Sequence, residues 1–356
     1  MQLPYVGILL DPKTYWGIPA ARTGREHISF YEEAGQVYNV IPCYFRLADL
    51  RPDGTVLAYV KRDGGYRREC MPIPEVIHNR SIQQTAAARR RLANLKRSGK
   101  LVFNGWNRYS KLYIHQLLML DEQLRPHLPG TMAATAETIR EMKIYYDSLI
   151  FKPDNSSIGR GVMKLDRTQS GWLLTYPQRG RWLTRTCAAV LPLPLRRGMR
   201  AKRYMVQQRL PLATYQGSSY DLRVSVQRCS SGDWTITGIA ARVATAGSPV
   251  TNLARGGRVY RLEEVLSLLP ESEVIRIRSE ISDFCLRAAD HLSRHLPSLA
   301  DLGFDIGLTA HGFPMFIECN GRDLRYSFQK AGMLEEWRRS YAHPISYARY
   351  LLDQRR

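Results

Sequence analysis

Residues 301–325, DLGFDIGLTAHGFPMFIECNGRDLR, constrain this chain more than any other stretch. Two apolar runs, FDIGL and MFIEC, flank a turn containing Gly312 and Pro314, which predicts a β-hairpin with an irregular loop. Both runs carry an acid inside them. Side chains alternate between faces along a strand, so Glu318 and Asn320 are expected to point one way, and Ile317 and Cys319 the other way, into a core. With Asp305 added, the hairpin offers two carboxylates and an amide, hard oxygen donors that suit Mg²⁺, with Mn²⁺ as an alternative ion. Taken alone, the same acids suit a solvated strand face equally well. The rest of the chain has to decide between the two.

The stretch KPDNSSIGRGV, residues 152–162, bears on that choice. Lys152 stands at a strand end before a loop holding Ser156, Ser157, Gly159 and Gly161. Glycines let backbone N–H groups turn toward an anion, serine hydroxyls add donors, and the lysine can reach phosphate oxygens. The order differs from GxxxxGK[ST], because the lysine precedes the loop and strands (VMKLDR, WLLTYPQ) follow it. A hairpin lid over phosphates and a plain glycine-rich turn both fit. Upstream, Lys111 opens an amphipathic helix over 111–120 with Ser110 as its cap. Downstream, YMVQQRL is a strand ending at Pro211, YDLRVSVQ sets Asp221 and Arg223 on one face, and WTITGIAARVAT supplies Arg242. The loop GSPVTNLARGGRV then brings Asn252 and Arg255. Single arginines mostly face solvent, but Arg223, Arg242 and Arg255 beside an anion loop and a metal hairpin favour phosphate contacts.

Residues 1–100 read as a small α/β lobe. Its strands are YVGILL, VYNVIPCYF, TVLAYV, YRREC and PEVIHNR, with a hairpin turn at Asp63-Gly64-Gly65 and helices over 27–35 and 84–97. Beyond it, helices are expected over 136–146 and 271–296, the latter with Cys285 in the core and not a nucleophile. Residues 333–356 read as helical with a break at Pro344. The 44% hydrophobic content excludes a disordered chain. Six scattered cysteines without a CxxC pair argue against a zinc site or a disulfide framework, so a reducing interior is expected. There is no basic leader and no run of the ~18 apolar residues that a membrane span needs, so a cytoplasmic protein is expected.

Lys and Arg number 52 against 32 Asp and Glu, a formal charge of +20 that favours acidic partners. Sequence-specific nucleic-acid binding is not expected, since no basic strand interleaved with aromatics and no recognition helix is visible. If the surplus holds an acidic acceptor, Arg160, Arg179, Arg181, Arg322 and Arg325 are candidates around the mouth of the site. A uniformly basic, solvated surface would explain the same count.

Across about residues 100–330 these motifs resemble the ATP-grasp superfamily of carboxylate–amine ligases, and most closely its endospore-coat-associated YheC/YheD group. The resemblance implies an α+β ATP-grasp fold after the N-terminal α/β lobe, within 101–356. A first subdomain over about 101–203 would carry the phosphate lid, and a second over 204–356 the metal site. It implies that Lys111, Lys152, Ser156, Ser157, Gly159 and Gly161 contact the phosphates of ATP, and that Gln207, Gln208 and Leu210 form the adenine-side hinge. Asp305, Glu318 and Asn320 would hold Mg²⁺, while Arg223, Arg242 and Asn252 face the reacting carboxyl and γ-phosphate. The implied reaction joins an unidentified carboxylate to an amine or thiol through an acylphosphate, on an acidic peptide or an envelope or spore component. Such phosphoryl transfer works by positioning and charge neutralisation and needs no protein nucleophile. An ATP-binding structural protein of the spore coat without turnover, and a kinase acting on a small acceptor, share the same motifs. Two departures stand out: Gln207 where many relatives carry Glu, and Gly321-Arg322-Asp323 where a proline usually follows the metal-ligand Asn.

Overall fold

The computed structural model describes residues 3–83, 85–156, 159–187, 191–245 and 256–355. Three six-stranded sheets organise them. The first runs Gly65–Pro72, Thr55–Arg62, Ile41–Phe45, Tyr5–Leu9, Val76–Asn79, Leu101–Phe103. Its last four strands are parallel. Tyr5–Leu9 and Val76–Asn79 are buried almost throughout, as parallel strands covered on both faces should be, although the second carries the polar His78 and Asn79. The antiparallel hairpin at the other edge turns through Gly64 and Gly65, both at positive φ (82° and 136°), as the Asp-Gly-Gly sequence predicts. The helix Ala86–Arg97 starts where Thr85 Oγ1 accepts the Ala88 N–H.

The core of this sheet is closed by the far end of the chain. Trp337, Tyr341, Ile345, Ala348 and Leu352 of the helix Leu334–Asp353 pack with Val6, Ile8, Tyr31 and Val76. That helix runs straight through Pro344, where the sequence predicted a break. Proline removes the donor that would have bonded the Ser340 carbonyl. Here buried Gln227 supplies it instead, its Nε2 lying 2.9 Å from that oxygen. The helix therefore loses no buried hydrogen bond at the proline.

The second sheet is antiparallel, in the order Arg181–Cys187, Gly171–Gln178, Met163–Thr168, Ser148–Pro153, Tyr204–Gln208, Thr131–Ala133. Helices Ala136–Tyr145 and Leu193–Ala201 cover one face, burying Ile139 and Leu195 against Leu149, Phe151, Leu165, Leu174 and Val206. The alternation in Ser148–Pro153 sends Leu149 and Phe151 into this core, which leaves Lys152 on the opposite face.

The third sheet runs Arg258–Arg261, Trp234–Val243, Ser218–Arg228, Asp301–Leu308, Pro314–Asn320, with Thr214–Tyr215 joined to the Ser218–Arg228 strand. The helix Glu271–His295 packs on it through Ile277, Ile281, Phe284 and Cys285, so Cys285 is core as expected. The hairpin of this sheet departs from the expected alternation. Asp305 pairs with Glu318 and Ile306 with Phe316, so Ile317 is an extra residue in a β-bulge. Phe316, not Ile317, enters the core beside Phe304 and Ile306.

A buried ionic cluster ties the first sheet to the third. Arg80 Nε donates to Glu26 Oε1 at 2.7 Å, and the Arg80 guanidinium also reaches Asp301 Oδ2 at 3.1 Å and the Asp323 carbonyl at 2.8 Å. Arg325 donates to Asp301 Oδ2 at 2.8 Å and to the Tyr31 hydroxyl at 2.9 Å, with its guanidinium over the Tyr341 ring. Burial pushes the Asp301 carboxyl up, but Arg325, His78 and Arg80 overcome this and hold it well below the usual carboxylate range. Arg325 is thus inside the molecule, and Arg322 is paired with Asp11 at 2.6 Å. The expectation that both would stand at the mouth of the site is overturned for Arg325, because a buried carboxylate must recruit its countercharge from nearby chain.

Arg325→Ala leaves Asp301 one buried cation short and should lower stability by ~3–5 kcal/mol. Arg322→Ala breaks only a part-exposed pair and should cost about 1 kcal/mol or less. Urea unfolding of the two variants checks this; equal midpoints would contradict the assignment of Arg325 to a buried structural cluster.

Candidate active site

Three walls meet where the second and third sheets face each other. In the second sheet, register pairs Lys152 with Met205 and Ile150 with Gln207, so these side chains share the face away from the helices. Lys152 Nζ donates to Gln207 Oε1 at 2.7 Å, and Gln207 Nε2 donates to Thr131 Oγ1 at 2.9 Å. A glutamine at this position can bond in both directions at once. The Gln208 N–H donates to the Gly130 carbonyl at 2.8 Å, and Leu210 follows just beyond the strand end. Burial pushes the Lys152 ammonium down to about 8, with Lys111 adding to the fall and Glu318, Asp305 and Asp221 opposing it. Lys164 lies on the next strand of the same sheet. Its register with Ile150 puts it on the Lys152 face, where Asp166 holds it at 2.8 Å.

In the third sheet, Arg223, Asp305 and Glu318 stand side by side on adjacent strands, because Arg223 pairs with Asp305 and Asp305 with Glu318. Arg223 Nε donates to Asp305 Oδ1 at 2.8 Å. Arg242 reaches Asp305 Oδ2 at 2.9 Å and donates to Asp221 Oδ1 at 2.6 Å. Burial raises the Asp305 carboxyl, yet the two guanidinium groups hold it below its ordinary value. Asn320, opposite Gly303, donates to the Gly303 carbonyl at 3.3 Å.

The base is the helix Lys111–Leu118. Ser110 caps it as expected, its Oγ accepting the Tyr113 N–H at 3.1 Å. Lys111 Nζ donates to Glu318 Oε1 at 2.7 Å and to the Ser156 carbonyl at 2.8 Å, linking the hairpin to the loop. Gly161 has φ 79°, and a Cβ there would lie 2.8 Å from the Tyr204 hydroxyl, so only glycine fits this end of the loop. Gly159 is also at positive φ. Ser157, Asn252 and Arg255 lie outside the described residues.

Two acids escaped the sequence reading. Asp154 accepts from Ser110 Oγ at 2.8 Å and from the Leu112 N–H at 3.0 Å, so the residue two after Lys152 fixes the helix that carries Lys111. Its signal was an acid directly after Lys-Pro at a strand end. Asp323 accepts from Arg223 at 3.0 Å and from Ser225 Oγ. A Cβ at residue 303 would lie 2.5 Å from Asp323 Oδ1, which is why that strand position is glycine. Asp323 thus has a defined task in the segment that departs from the family's proline: it holds Arg223 from the side opposite Asp305.

The donor set suits a divalent cation bound with a polyphosphate. Asp305, Glu318 and Asn320 present hard oxygens on neighbouring strands, and their charge is now offset by Lys111, Arg223 and Arg242, whose positions a cation could share. Among the described residues no three His, Cys, Asp or Glu side chains converge. Lys111, Ile114, His115, Met205, Gln207 and Glu318 are among the residues lining a cavity of about 10 Å³. That is room for about one water.

Comparison with known proteins agrees with this architecture. Residues 99–351 match the model of the YheC/D-like ATP-grasp family. The endospore coat-associated protein YheD of Bacillus subtilis (strain 168) is 26% identical over 317 residues, spanning 85% of this chain and 68% of that protein. The D-cycloserine synthetase DcsG shares the fold at a TM-score of 0.55 and 11% identity, over 99% of this chain and 100% of that one. The ATP-grasp ligase PsnB, solved with a phosphomimetic variant of its minimal precursor, Mg and ADP, gives a TM-score of 0.52 at 15% identity, over 93% and 94% of the two chains.

The depressed Lys152 pKa gives a pH prediction. The ammonium is present below about 8 and lost above it, so affinity for a nucleoside diphosphate should fall as pH rises through that value. Lys152→Arg keeps its charge throughout and should flatten the profile. Titration calorimetry across this range checks it; identical profiles for the two proteins would remove Lys152 from the phosphate site.

Proposed function

Because the chain belongs to the YheC/D-like ATP-grasp family, we propose that it is an ATP- and Mg²⁺-dependent ligase joining a carboxylate to an amine or thiol through an acylphosphate. The observation that carries this reading is the row Arg223, Asp305, Glu318 on adjacent strands, facing Lys111 and Lys152 from the other two walls. The second sheet with the loop, and the third sheet with the metal hairpin, form the clamp; because Leu101–Phe103 pairs in the first sheet and Tyr204–Gln208 in the second, the expected divisions at 101 and 204 move to the far side of these two strands. Lys111, Lys152 and the backbone of the Ser156–Gly161 turn hold the phosphate oxygens. Asp305, Glu318 and Asn320 would hold Mg²⁺, which would offset phosphate charge there.

Arg223 and Arg242 are fixed by Asp305, Asp221 and Asp323, so they present remaining N–H donors to a substrate carboxylate without further ordering. Asn252 is assigned to the same task. The substrate oxygen attacks the γ-phosphorus and ADP leaves with the electron pair of the broken P–O bond. The amine nitrogen then attacks the acyl carbon, phosphate leaves with the C–O pair, and the nitrogen gives up a proton. No thiol of the chain is needed: Cys285 is buried and Cys319 half-buried, and desolvation pushes both thiols up, away from the reactive thiolate. The carboxylate is assigned to an acidic peptide or an envelope or spore component, on the strength of the +20 charge and the likeness to a coat-associated protein. That likeness also favours a second reading, an ATP-binding coat protein without turnover.

Glu318→Gln removes a metal-ligating charge at nearly constant volume. It should abolish the gain in nucleotide affinity that Mg²⁺ confers while leaving the fold intact; a full Mg²⁺ effect in this variant would sink the metal assignment. Lys152→Ala should weaken nucleotide binding by ~1.5–3 kcal/mol, the range of bonds to charged groups. Mg²⁺-dependent ADP release with mixed carboxylates and amines supports the ligase, whereas tight nucleotide binding without release in any mixture supports the coat protein.

A further inference from the structure

Between Arg160 and Arg209 the chain carries twelve Lys or Arg and one acid, Asp166, which is more than half of the whole excess of +20. Lys164 pairs with Asp166 and Arg167 with Asp147. The other ten basic residues are exposed and have no carboxylate partner among the described residues. The two C-terminal helices are treated differently: Arg276, Arg287, Arg294 and Arg349 all have acids beside them. An uncompensated cationic surface on one lobe raises the free energy of the isolated protein through self-repulsion and favours a partner of opposite charge.

The strand Arg181–Cys187 gives this surface a shape. It pairs on one side only, with Gly171–Gln178, and forms the outer edge of the second sheet. Register places Arg181, Leu183 and Arg185 opposite Gln178, Tyr176 and Leu174, so the three share the face on which the helices pack. They lie beyond the helices' cover: both arginines are exposed, and Leu183 is 39% exposed. The helix Leu193–Ala201 on that face adds exposed Arg196, Arg197 and Arg200.

We propose that the edge strand Arg181–Cys187 docks an acidic polypeptide, which adds to the second sheet as a further extended strand. The edge offers main-chain donors and acceptors to a peptide backbone, while Arg181 and Arg185 meet carboxylates at the two-residue spacing of a strand, with Leu183 packing between them. Charged edge strands resist pairing with most chains. An acidic strand is the exception, since it neutralises the arginines as it pairs. A nucleic acid would answer the charge but not the backbone ladder. The edge lies three strands from the one that carries Lys152, and docking there does not depend on the ligase reading.

The test is fluorescence anisotropy on the full chain with a labelled glutamate-homopolymer peptide and no nucleotide. Binding is expected, with a loss of about tenfold or more in Arg181→Glu/Arg185→Glu and little change in Arg89→Glu/Arg90→Glu. The same peptide N-methylated at alternate residues keeps its charge but loses half its main-chain donors, and should bind far more weakly. An oligonucleotide of equal charge should also bind more weakly. No peptide binding, equal effects of the two double variants, or equal affinity for the N-methylated peptide or the oligonucleotide would overturn the proposal. ADP release is measured separately, so a failed ligase reading with intact docking, or the reverse, is recognised as such.

Discussion

The structure depends on one strand, Asp301–Leu308, because it buries two carboxylates four residues apart. A buried charge is tolerated only when it is paired. Asp301 takes Arg80 and Arg325, and Asp305 takes Arg223 and Arg242. The first pairing locks the N-terminal sheet against the third sheet. The second builds the wall of the candidate site. Asp323 couples them, since its carbonyl accepts from Arg80 and its carboxylate from Arg223. The N-terminal lobe therefore has a mechanical link to the candidate active site through a chain of three buried polar residues.

The same pairing explains how a site rich in charge can exist before any ligand arrives. Glu318 is neutralised by Lys111 and Asp305 by two arginines, while the Lys152 ammonium is solvated by the Gln207 amide oxygen. Each of these contacts can be exchanged for one to a polyphosphate or a cation without leaving a bare charge in a low-dielectric cleft. The walls close on a cavity of about 10 Å³. Lys111, bonded to both the Ser156 carbonyl and Glu318, bridges the loop and the hairpin across it.

Charge is spent differently in different parts of the molecule. In the interior, arginines are structural: Arg80, Arg223 and Arg325 serve buried acids. On the helices of the third sheet they form surface pairs worth little individually. In the second sheet they remain unpaired at an open edge. The overall value of +20 is thus a poor guide to any one arginine: Arg325, close to the metal hairpin in sequence, turns out to belong to the interior, while Arg322 forms a part-exposed pair with Asp11.

Local pattern was enough for much of this. Alternating strands, the hairpin turn at Gly64-Gly65, the Ser110 cap, the long helix with Cys285 inside, and the motifs around Lys111, Lys152, Asp305, Glu318 and Asn320 were legible because each depends on neighbours within a few residues. Their convergence followed from motif resemblance, and the antiparallel register then showed how Asp305 and Glu318 become adjacent. What sequence alone left open involved partners far apart in the chain. The helix continues through Pro344 because Gln227, 117 residues earlier, satisfies the freed carbonyl. Phe316 displaces Ile317 from the core because a bulge lets the hairpin keep Asp305 beside Glu318. Arg325 is internal because Asp301 and Tyr31 surround it. A sequence fixes periodicity and local hydrogen bonding by itself, but which buried polar group finds which partner is decided only when the sheets pack and water is excluded.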